Sequence, residues 1–273
     1  MRKTQEIIEN SEKLRAVFLV KLQNKDSQNI QEFSIELGQP IGNIVTKDLS
    51  LNLNKNTKPT LKNINLIINA GTTTAIIGPS GAGKTSLLKL LSGIYKANEG
   101  FVYLDNSDLT KRDFNDLGKY IGYLSQTTDL LAGKVSENIA RFGEVNSELV
   151  IEAAQTAGVH EMIMSLPAGY ETVLGDNGFG LSEGQKRKIG FARALYNNPN
   201  MIFLDEPGAG LDDLSLNQLT HSISLLKKKN LTIIFTTHQA KLISLSDYLI
   251  LINNGELKTH NSTANVINNL KSS

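Results

Sequence analysis

A short segment in the first third of the chain combines glycines, a lysine and a threonine in an order suited to binding a phosphate chain. It matches the pattern GxxxxGK[ST] without a gap. Its residues are Gly78, Pro79, Ser80, Gly81, Ala82, Gly83, Lys84 and Thr85, followed by Ser86. Glycines let backbone N–H groups approach phosphate oxygens, a helix N-terminus adds partial positive charge, and the lysine adds a full one. The segment therefore predicts a phosphate-binding loop, with the Thr85 hydroxyl as a ligand of Mg²⁺.

Two acidic residues follow an apolar run later in the chain. The run is Met201 to Leu204, and Asp205 and Glu206 come directly after it. In a parallel α/β sheet the ligand lies outside the carboxyl ends of the strands. Asp205 is therefore predicted to lie near the metal and Glu206 near the terminal phosphate.

Two further polar side chains end predicted strands. Gln126 follows the run Tyr120 to Ser125, and His238 follows the run Leu231 to Thr237. A parallel sheet would bring both side chains to the same edge as the phosphates. From position alone a solvated or hydrogen-bonded structural role is the commoner one for such residues, so both interpretations stay open at this point.

The segment Leu181 to Gln185 combines helix capping with a second anion site. Ser182, with Gln185 after it at capping-box spacing, predicts the start of a basic helix. The Ser182 hydroxyl and the Gly184 amide at that N-terminus can also receive an anion. The two roles are compatible.

Positioning these groups requires strands and helices in an α/β order. The β-branched run Thr72 to Ile77 predicts a strand before the loop, and apolar residues at helical spacing predict a helix after it. Other strands are predicted at residues 101–104, 120–124, 201–204 and 231–236, an antiparallel pair at 44–68, a hairpin at 248–257, and helices at 135–165 and 182–196. The Asn-Gly pair at residues 254–255 is typical of the hairpin turn.

The composition is that of an ordinary globular protein. Of the 273 residues, 40% are apolar and 20% charged, and the net charge of +1 gives no case for nucleic-acid binding. The chain has no cysteine, which excludes disulfides, thiolate metal sites and a cysteine nucleophile. Its apolar runs fall far short of the roughly 18 residues that a membrane helix requires. We expect neither a membrane span nor a signal peptide.

In order and spacing, these motifs resemble the nucleotide-binding domain of ATP-binding cassette (ABC) transporters. The resemblance covers about residues 43–260 and rests on the phosphate loop, Gln126, the LSEGQ segment, the Asp205–Glu206 pair and His238. It implies an α/β fold with a P-loop NTPase core, a mainly parallel sheet, an antiparallel β subdomain and an inserted α-helical subdomain at about residues 127–190. It also implies ATP and Mg²⁺ as cofactors.

The resemblance also implies a role for each motif residue. Glu206 would orient or deprotonate the attacking water, His238 would steady the γ-phosphate, and Lys84 would compensate phosphate charge. The implied Mg²⁺ ligands are Thr85, Gln126 and Asp205. The implied nucleotide contacts are the loop residues 78–86, Gln126 and, across a dimer, Ser182, Gly184 and Gln185.

Four segments are similar to exporter cassettes, and above all to those of type I secretion ATPases. They are Ile121 to Gln126, Val135 to Ile139, Leu166 to Thr172 and Val173 to Gly178. The similarity implies an ATP-hydrolysing, energy-coupling subunit that acts as a head-to-tail homodimer with the transmembrane domain of an exporter. It would lie at the cytoplasmic face of the inner membrane, and no nucleic-acid partner is expected.

The chain departs from the exporter pattern in several places. Residues 1–42 are polar where a membrane domain normally precedes the cassette, and we interpret them as a leader or connector to a domain at 43–273. Glu183 replaces a common glycine, the loop Pro207 to Asp212 lacks the usual serine, and Leu53 stands where an aromatic usually stacks on adenine. Two other interpretations stay open: a soluble non-transport ABC ATPase and a decayed nucleotide-binding module.

Overall fold

The computed structural model describes residues 38–53, 59–175, 178 and 180–266, apart from the side chains of residues 114 and 115. The helix predicted within the polar leader lies outside these residues. The strands are β1 (Ile44–Leu51), β2 (Leu61–Ile68), β3 (Thr73–Ile77), β4 (Glu99–Leu104), β5 (Ser107–Asp108), β6 (Ile121–Leu124), β7 (Gly133–Lys134), β8 (Val173–Leu174), β9 (Met201–Asp205), β10 (Thr232–Thr236), β11 (Tyr248–Asn253) and β12 (Glu256–Ser262). The helices are α1 (Lys84–Leu91), α2 (Phe114–Tyr120), α3 (Val135–Ile139), α4 (Ser147–Thr156), α5 (His160–Met164), α6 (Glu183–Leu195), α7 (Asp213–Lys228) and α8 (Ala240–Ile243), with 3₁₀ turns at Leu109–Lys111 and Gly169–Glu171.

The central sheet carries the predicted site. Its strand order is β12-β11-β3-β10-β9-β6, and all neighbours are parallel except β11 and β12. Strand β10 pairs Thr236 with Asp205 of β9 and with Ile76 of β3. The ends of β3, β9 and β10 are therefore level, so the residues that follow them meet at one edge of the sheet.

Both faces of this sheet are covered, and successive residues of a strand enter different cores. Ile202 and Leu204 of β9 pack with helices α4, α6 and α7, whereas Phe203 packs with α1 and the antiparallel strands. Burial on both faces explains why β9 and β10 are continuous apolar runs rather than alternating ones.

The antiparallel strands form a second sheet in the order β2-β1-β4-β5. Strand β1 pairs with β2 from Ile44↔Ile68 to Leu51↔Leu61, and alternation places Leu49 and Ile64 in the core. The hairpin of β11 and β12 turns at Asn254 and Gly255, which have φ values of 49° and 75°. Both predicted antiparallel pairs are confirmed.

The helical block predicted at residues 135–165 is present as α3, α4 and α5. The predicted basic helix is α6, which begins after Ser182 and ends at Leu195. Helix α7 was not predicted, although Leu219, Ile223 and Leu226 recur on one buried face and Asp212 caps its N-terminus. None of the described helices is both long and apolar enough to cross a membrane. The predicted mixed α/β fold is confirmed.

Candidate active site

The phosphate loop joins β3 to α1 and requires glycine at two points. Gly78 has φ 148°, and a Cβ there would lie 2.0 Å from the carbonyl oxygen of Ile252. Gly83, the N-cap of α1, has φ 102°, and a Cβ there would lie 2.9 Å from the carbonyl oxygen of Thr60. The loop therefore lies directly against the backbone of neighbouring segments, where any side chain would clash.

Lys84 places its charge inside this loop. Its Nζ donates hydrogen bonds to the carbonyl oxygens of Gly78 at 2.8 Å and Pro79 at 3.0 Å, and its side chain is buried. The first turn of α1 contains no acidic residue, and the N–H groups of a first turn have no partner within the helix. The loop thus presents a lysine cation and a helix N-terminus with no acidic residue of its own, which suits an anion.

Thr85 and Asp205 are in direct contact although they lie far apart in the chain. Thr85 Oγ1 donates to Asp205 Oδ1 at 2.9 Å, and Thr236 Oγ1 donates to the same oxygen at 2.7 Å. Asp205 is 1% exposed, and its Oδ2 has no hydrogen-bond partner among the described residues. A buried carboxylate oxygen without a partner is costly unless something else occupies it.

This arrangement fits a divalent cation. A hydroxyl and an unpartnered carboxylate oxygen are hard oxygen ligands of the kind that Mg²⁺ prefers. In the described part of the chain no group of three or more His, Asp and Glu forms a metal centre. A cation here would therefore need oxygens from water or a bound phosphate as well as from the protein.

Glu206 follows Asp205 in a left-handed backbone conformation. Its φ is 50°, an uncommon value for a residue with a side chain. Its amide donates to Thr236 Oγ1 at 2.8 Å, and its carboxylate oxygen Oε1 lies 3.2 Å from Nε2 of His238. The Glu206 side chain is 15% exposed and that of His238 is 55% exposed. Glu206 and His238 therefore face each other at the carboxyl edge, accessible to a ligand.

Gln126 lies at the same edge. Strand β6 pairs Leu124 with Leu204, so Gln126 follows its strand at the level where Glu206 follows β9. Gln126 is an exposed residue, and its backbone carbonyl oxygen accepts a hydrogen bond from Arg187 Nη2 at 2.5 Å.

Ser182, Gly184 and Gln185 lie at the N-terminus of α6. Ser182 Oγ accepts from the Gln185 amide at 3.2 Å, and Gln185 Oε1 accepts from the Ser182 amide at 2.9 Å, which is the capping box expected there. Next to them Glu183 pairs with Lys186 at 2.8 Å, with the Glu183 side chain 83% exposed. Ser182 and Glu183 are exposed at this helix start, whereas Gly184 and Gln185 are half-buried.

A protein-family model described as "ABC transporter" matches residues 61–209, which span the phosphate loop, Gln126, the LSEGQ segment and the Asp205–Glu206 pair. The chain belongs to the ABC transporter family. The predicted membership in the ABC family, as a nucleotide-binding domain, is therefore confirmed.

Curated relatives place this ABC domain near the exporters. It is 37% identical over 72% of its length to the type I secretion system ATP-binding protein PrsD of Rhizobium meliloti, covering 34% of that protein. It is 34% identical over 76% of its length to the colicin V secretion/processing ATP-binding protein CvaB of Escherichia coli, covering 29% of that protein. The chain thus spans about a third of the length of these relatives. The predicted similarity to type I secretion ATPases is confirmed.

A solved structure supports the same assignment. The structure of a bacterial Atm1-family ABC exporter with ATP bound superposes with a TM-score of 0.78 at 26% sequence identity, over 85% of this chain and 41% of the exporter chain. The ABC domain fold described above therefore also occurs in a full exporter.

Three residues at the carboxyl edge of the central sheet were not predicted from the sequence. Thr236 and Arg187 hold the backbone and carboxylate groups of the Asp205–Glu206 pair. Tyr123 lies near Asp205, and burial, together with that carboxylate, raises the pKa of its hydroxyl. A threonine at the end of a buried strand was a usable signal for Thr236, but nothing local marked Arg187.

Proposed function

We propose that this chain binds ATP with Mg²⁺ at the carboxyl edge of its sheet and hydrolyses it. The observation that carries the proposal is the convergence of Thr85, Asp205 and Glu206 beside a phosphate loop that holds a buried lysine. Phosphoryl transfer requires mainly positioning and charge compensation, and these groups supply both.

The phosphate loop binds the triphosphate, and residues at the sheet edge help to hold the cation. Backbone N–H groups of residues 78–86, apart from Pro79, and the Lys84 ammonium bind phosphate oxygens. Thr85, Asp205 and Gln126 hold the cation, either directly or through water. Bound Mg²⁺ neutralises negative charge on the phosphates.

Glu206 and His238 act on the reacting end of the nucleotide. The Glu206 carboxylate orients or deprotonates the attacking water, and its contact with His238 sets the direction of that carboxylate. His238 is the more exposed of the two, and in this proposal its ring donates to the γ-phosphate.

Ser182, Gly184 and Gln185 complete the site of a second copy. They lie at the start of α6, and their capping hydrogen bonds are made within that helix start rather than with the phosphate loop of the same chain. A head-to-tail dimer requires such a position. In this dimer the Ser182 hydroxyl and the Gly184 amide contact the nucleotide held by the phosphate loop of the other subunit.

The biological role that fits these features is energy coupling in an exporter, of the kind named for the type I secretion relatives. The nucleotide-binding domain spans residues 43–273, with a helical subdomain at about 127–190 and a leader or connector at 1–42. It docks on a transmembrane domain from the cytoplasmic face of the inner membrane.

The test of hydrolysis is Glu206→Gln, with Glu99→Gln, at an exposed carboxylate of β4, as the matched control. We expect Glu206→Gln to lower the ATPase rate by about 100-fold or more, because the amide cannot accept a proton. ATP affinity, measured by fluorescence titration, stays at the wild-type level in both variants. Near wild-type turnover by Glu206→Gln would remove this residue from the mechanism.

A further inference from the structure

Arg187 joins helix α6 to the two loops that carry the proposed site. Its Nη1 donates to the carbonyl oxygens of Glu206 at 2.8 Å and Ala209 at 2.7 Å, and its Nη2 donates to that of Gln126 at 2.5 Å. A guanidinium suits this arrangement because its planar fork can reach several acceptors in fixed directions at once.

The contact with Glu206 acts on a constrained backbone. Glu206 has a positive φ, which the surrounding structure must maintain. Its amide is held by Thr236 Oγ1, and its carbonyl oxygen accepts from both Arg187 and the Ala209 amide. Arg187 and Thr236 therefore hold the peptide groups on the two sides of Glu206, which limits the directions its carboxylate can take.

The same arginine is linked to the start of α6. Gly184 and Glu183 precede Arg187 by three and four positions, so these residues share one face of the helix. Burial lowers the pKa of the Arg187 guanidinium, while the carboxylates of Glu183, Glu206 and Asp205 favour its charged form. The Arg187 guanidinium thus interacts electrostatically with both the start of α6 and the Asp205–Glu206 pair.

We propose that Arg187 is a positioning residue that couples the start of α6 to the orientation of Glu206 and Gln126. This inference rests on the proposed ATP hydrolysis. When a second copy's nucleotide contacts Ser182 and Gly184, any shift of α6 is passed through Arg187 to the carbonyl groups beside the first nucleotide. The predicted consequence is that each site hydrolyses ATP efficiently only when the α6 of its own chain is engaged.

The experiment compares Arg187→Gln and Arg187→Lys with Lys188→Gln. Lys188 is the next residue of the same helix, and its Nζ donates to Gln218 Oε1 on α7 at 3.2 Å, so this control removes the same charge but none of the Arg187 hydrogen bonds to the two loops. Steady-state ATPase kinetics, ATP binding and melting temperature are measured for these three variants and for the wild type.

For Arg187→Gln we expect kcat to fall by about 10-fold to 100-fold, a loss typical of misplaced catalytic groups, with ATP affinity and KM unchanged because the phosphate loop is untouched. Arg187→Lys keeps the charge but not the fork, so its kcat lies between those of the wild type and Arg187→Gln. Lys188→Gln behaves as wild type.

Three results would overturn the inference. The first is a kcat for Arg187→Gln equal to that of Lys188→Gln, which leaves the proposed ATPase intact and removes only Arg187. The second is a fall in rate that is fully explained by lower ATP affinity and a lower melting temperature, with Arg187→Lys affected to the same extent. That result would make the role of Arg187 purely structural. The third is an absence of turnover in the wild type, which contradicts the proposed function itself.

Discussion

At the scale of single residues, Thr236 shows how one buried hydroxyl orders the acidic pair. Its Oγ1 donates to Asp205 Oδ1 and accepts from the Glu206 amide. The residue is fully buried, so both bonds form away from water. Removing the hydroxyl would leave the Glu206 amide without this acceptor and Asp205 Oδ1 with one donor, Thr85, instead of two. Leaving such groups without a partner costs more than the bonds themselves contribute.

We expect Thr236→Val to lower the free energy of unfolding by roughly 1–3 kcal/mol and to reduce ATPase activity. The matched control is Thr74→Val in β3, because Thr74 is equally buried but its hydroxyl has no hydrogen-bond partner within the described residues. That variant should be neutral or more stable. Urea unfolding at pH 7 measures the stability of both variants. Thr236→Ser keeps the hydroxyl and should recover most of the stability lost in Thr236→Val. Equal losses for the two valine variants would show that the network does not matter.

The residues predicted at this scale were those whose chemistry is local. Gly83, Lys84 and Thr85 follow one another on a loop between a strand and a helix, so their type and order were sufficient to place them. Arg187 contacts Gln126 across 61 positions and Glu206 across 19. No local pattern encodes such contacts, because they depend on which strands become neighbours.

At the scale of elements, the close packing of α6 on β6 depends on Gly122. A Cβ at this residue would lie 2.0 Å from the carbonyl oxygen of Ala194 near the end of α6. The guanidinium of Arg141 strengthens the same junction by donating to the carbonyl oxygens of Arg193 and Ala194. Burial lowers the pKa of Arg141 to about 10. The strand and helix are thus joined by backbone contact and by one half-buried arginine.

Gly122→Ala should therefore lower the free energy of unfolding by roughly 1–3 kcal/mol through overpacking. Gly118→Ala is the matched control, since Gly118 lies in α2 and an added Cβ would have no atom within 4 Å. That substitution should raise stability by roughly 0.5–1 kcal/mol because alanine favours the helix. Thermal and urea unfolding of the two variants measure the opposite signs. A stable Gly122→Ala would contradict the packing described here.

Most elements were predictable because their signals lie within a few residues. The capping box of α6 and the Asn-Gly turn of the last hairpin involve neighbours in sequence, and both are present as expected. Helix α7 was missed although its apolar spacing is regular, because its mean polarity is high and an exposed Leu214 breaks the clean division of its faces. Strands β5, β7 and β8 are two residues long, too short to show any alternation.

At the scale of the whole molecule, the proposed dimer makes activity depend on protein concentration. In the proposed dimer the exposed Ser182 completes the nucleotide site of a second copy. We expect specific ATPase activity to rise with concentration as dimers form, measured alongside sedimentation at the same concentrations. Constant specific activity across a range that contains only monomers would contradict the dimer.

Two capping variants separate dimer contacts from helix stability. Ser182→Asp keeps a good N-cap but puts a carboxylate where a phosphate should approach, so we expect the rise with concentration to disappear. Asn146→Asp makes the same change in charge at the N-cap of α4, where the side chain accepts from the Glu148 and Leu149 amides, and should leave the rise intact.

Sequence alone determined the family and the mainly parallel sheet, and it predicted the phosphate loop. The loop is marked by short-range order, with a β-branched strand, a glycine turn and a helix in succession, and the family by several such short motifs in a fixed order. Only the tertiary structure decided how the distant parts meet. Thr85 contacts Asp205 across 120 positions, and Gly78 lies against the backbone of Ile252. The physical reason is that spacing along a chain specifies which face of an element is apolar, whereas the partner of that face is chosen by packing among all elements at once.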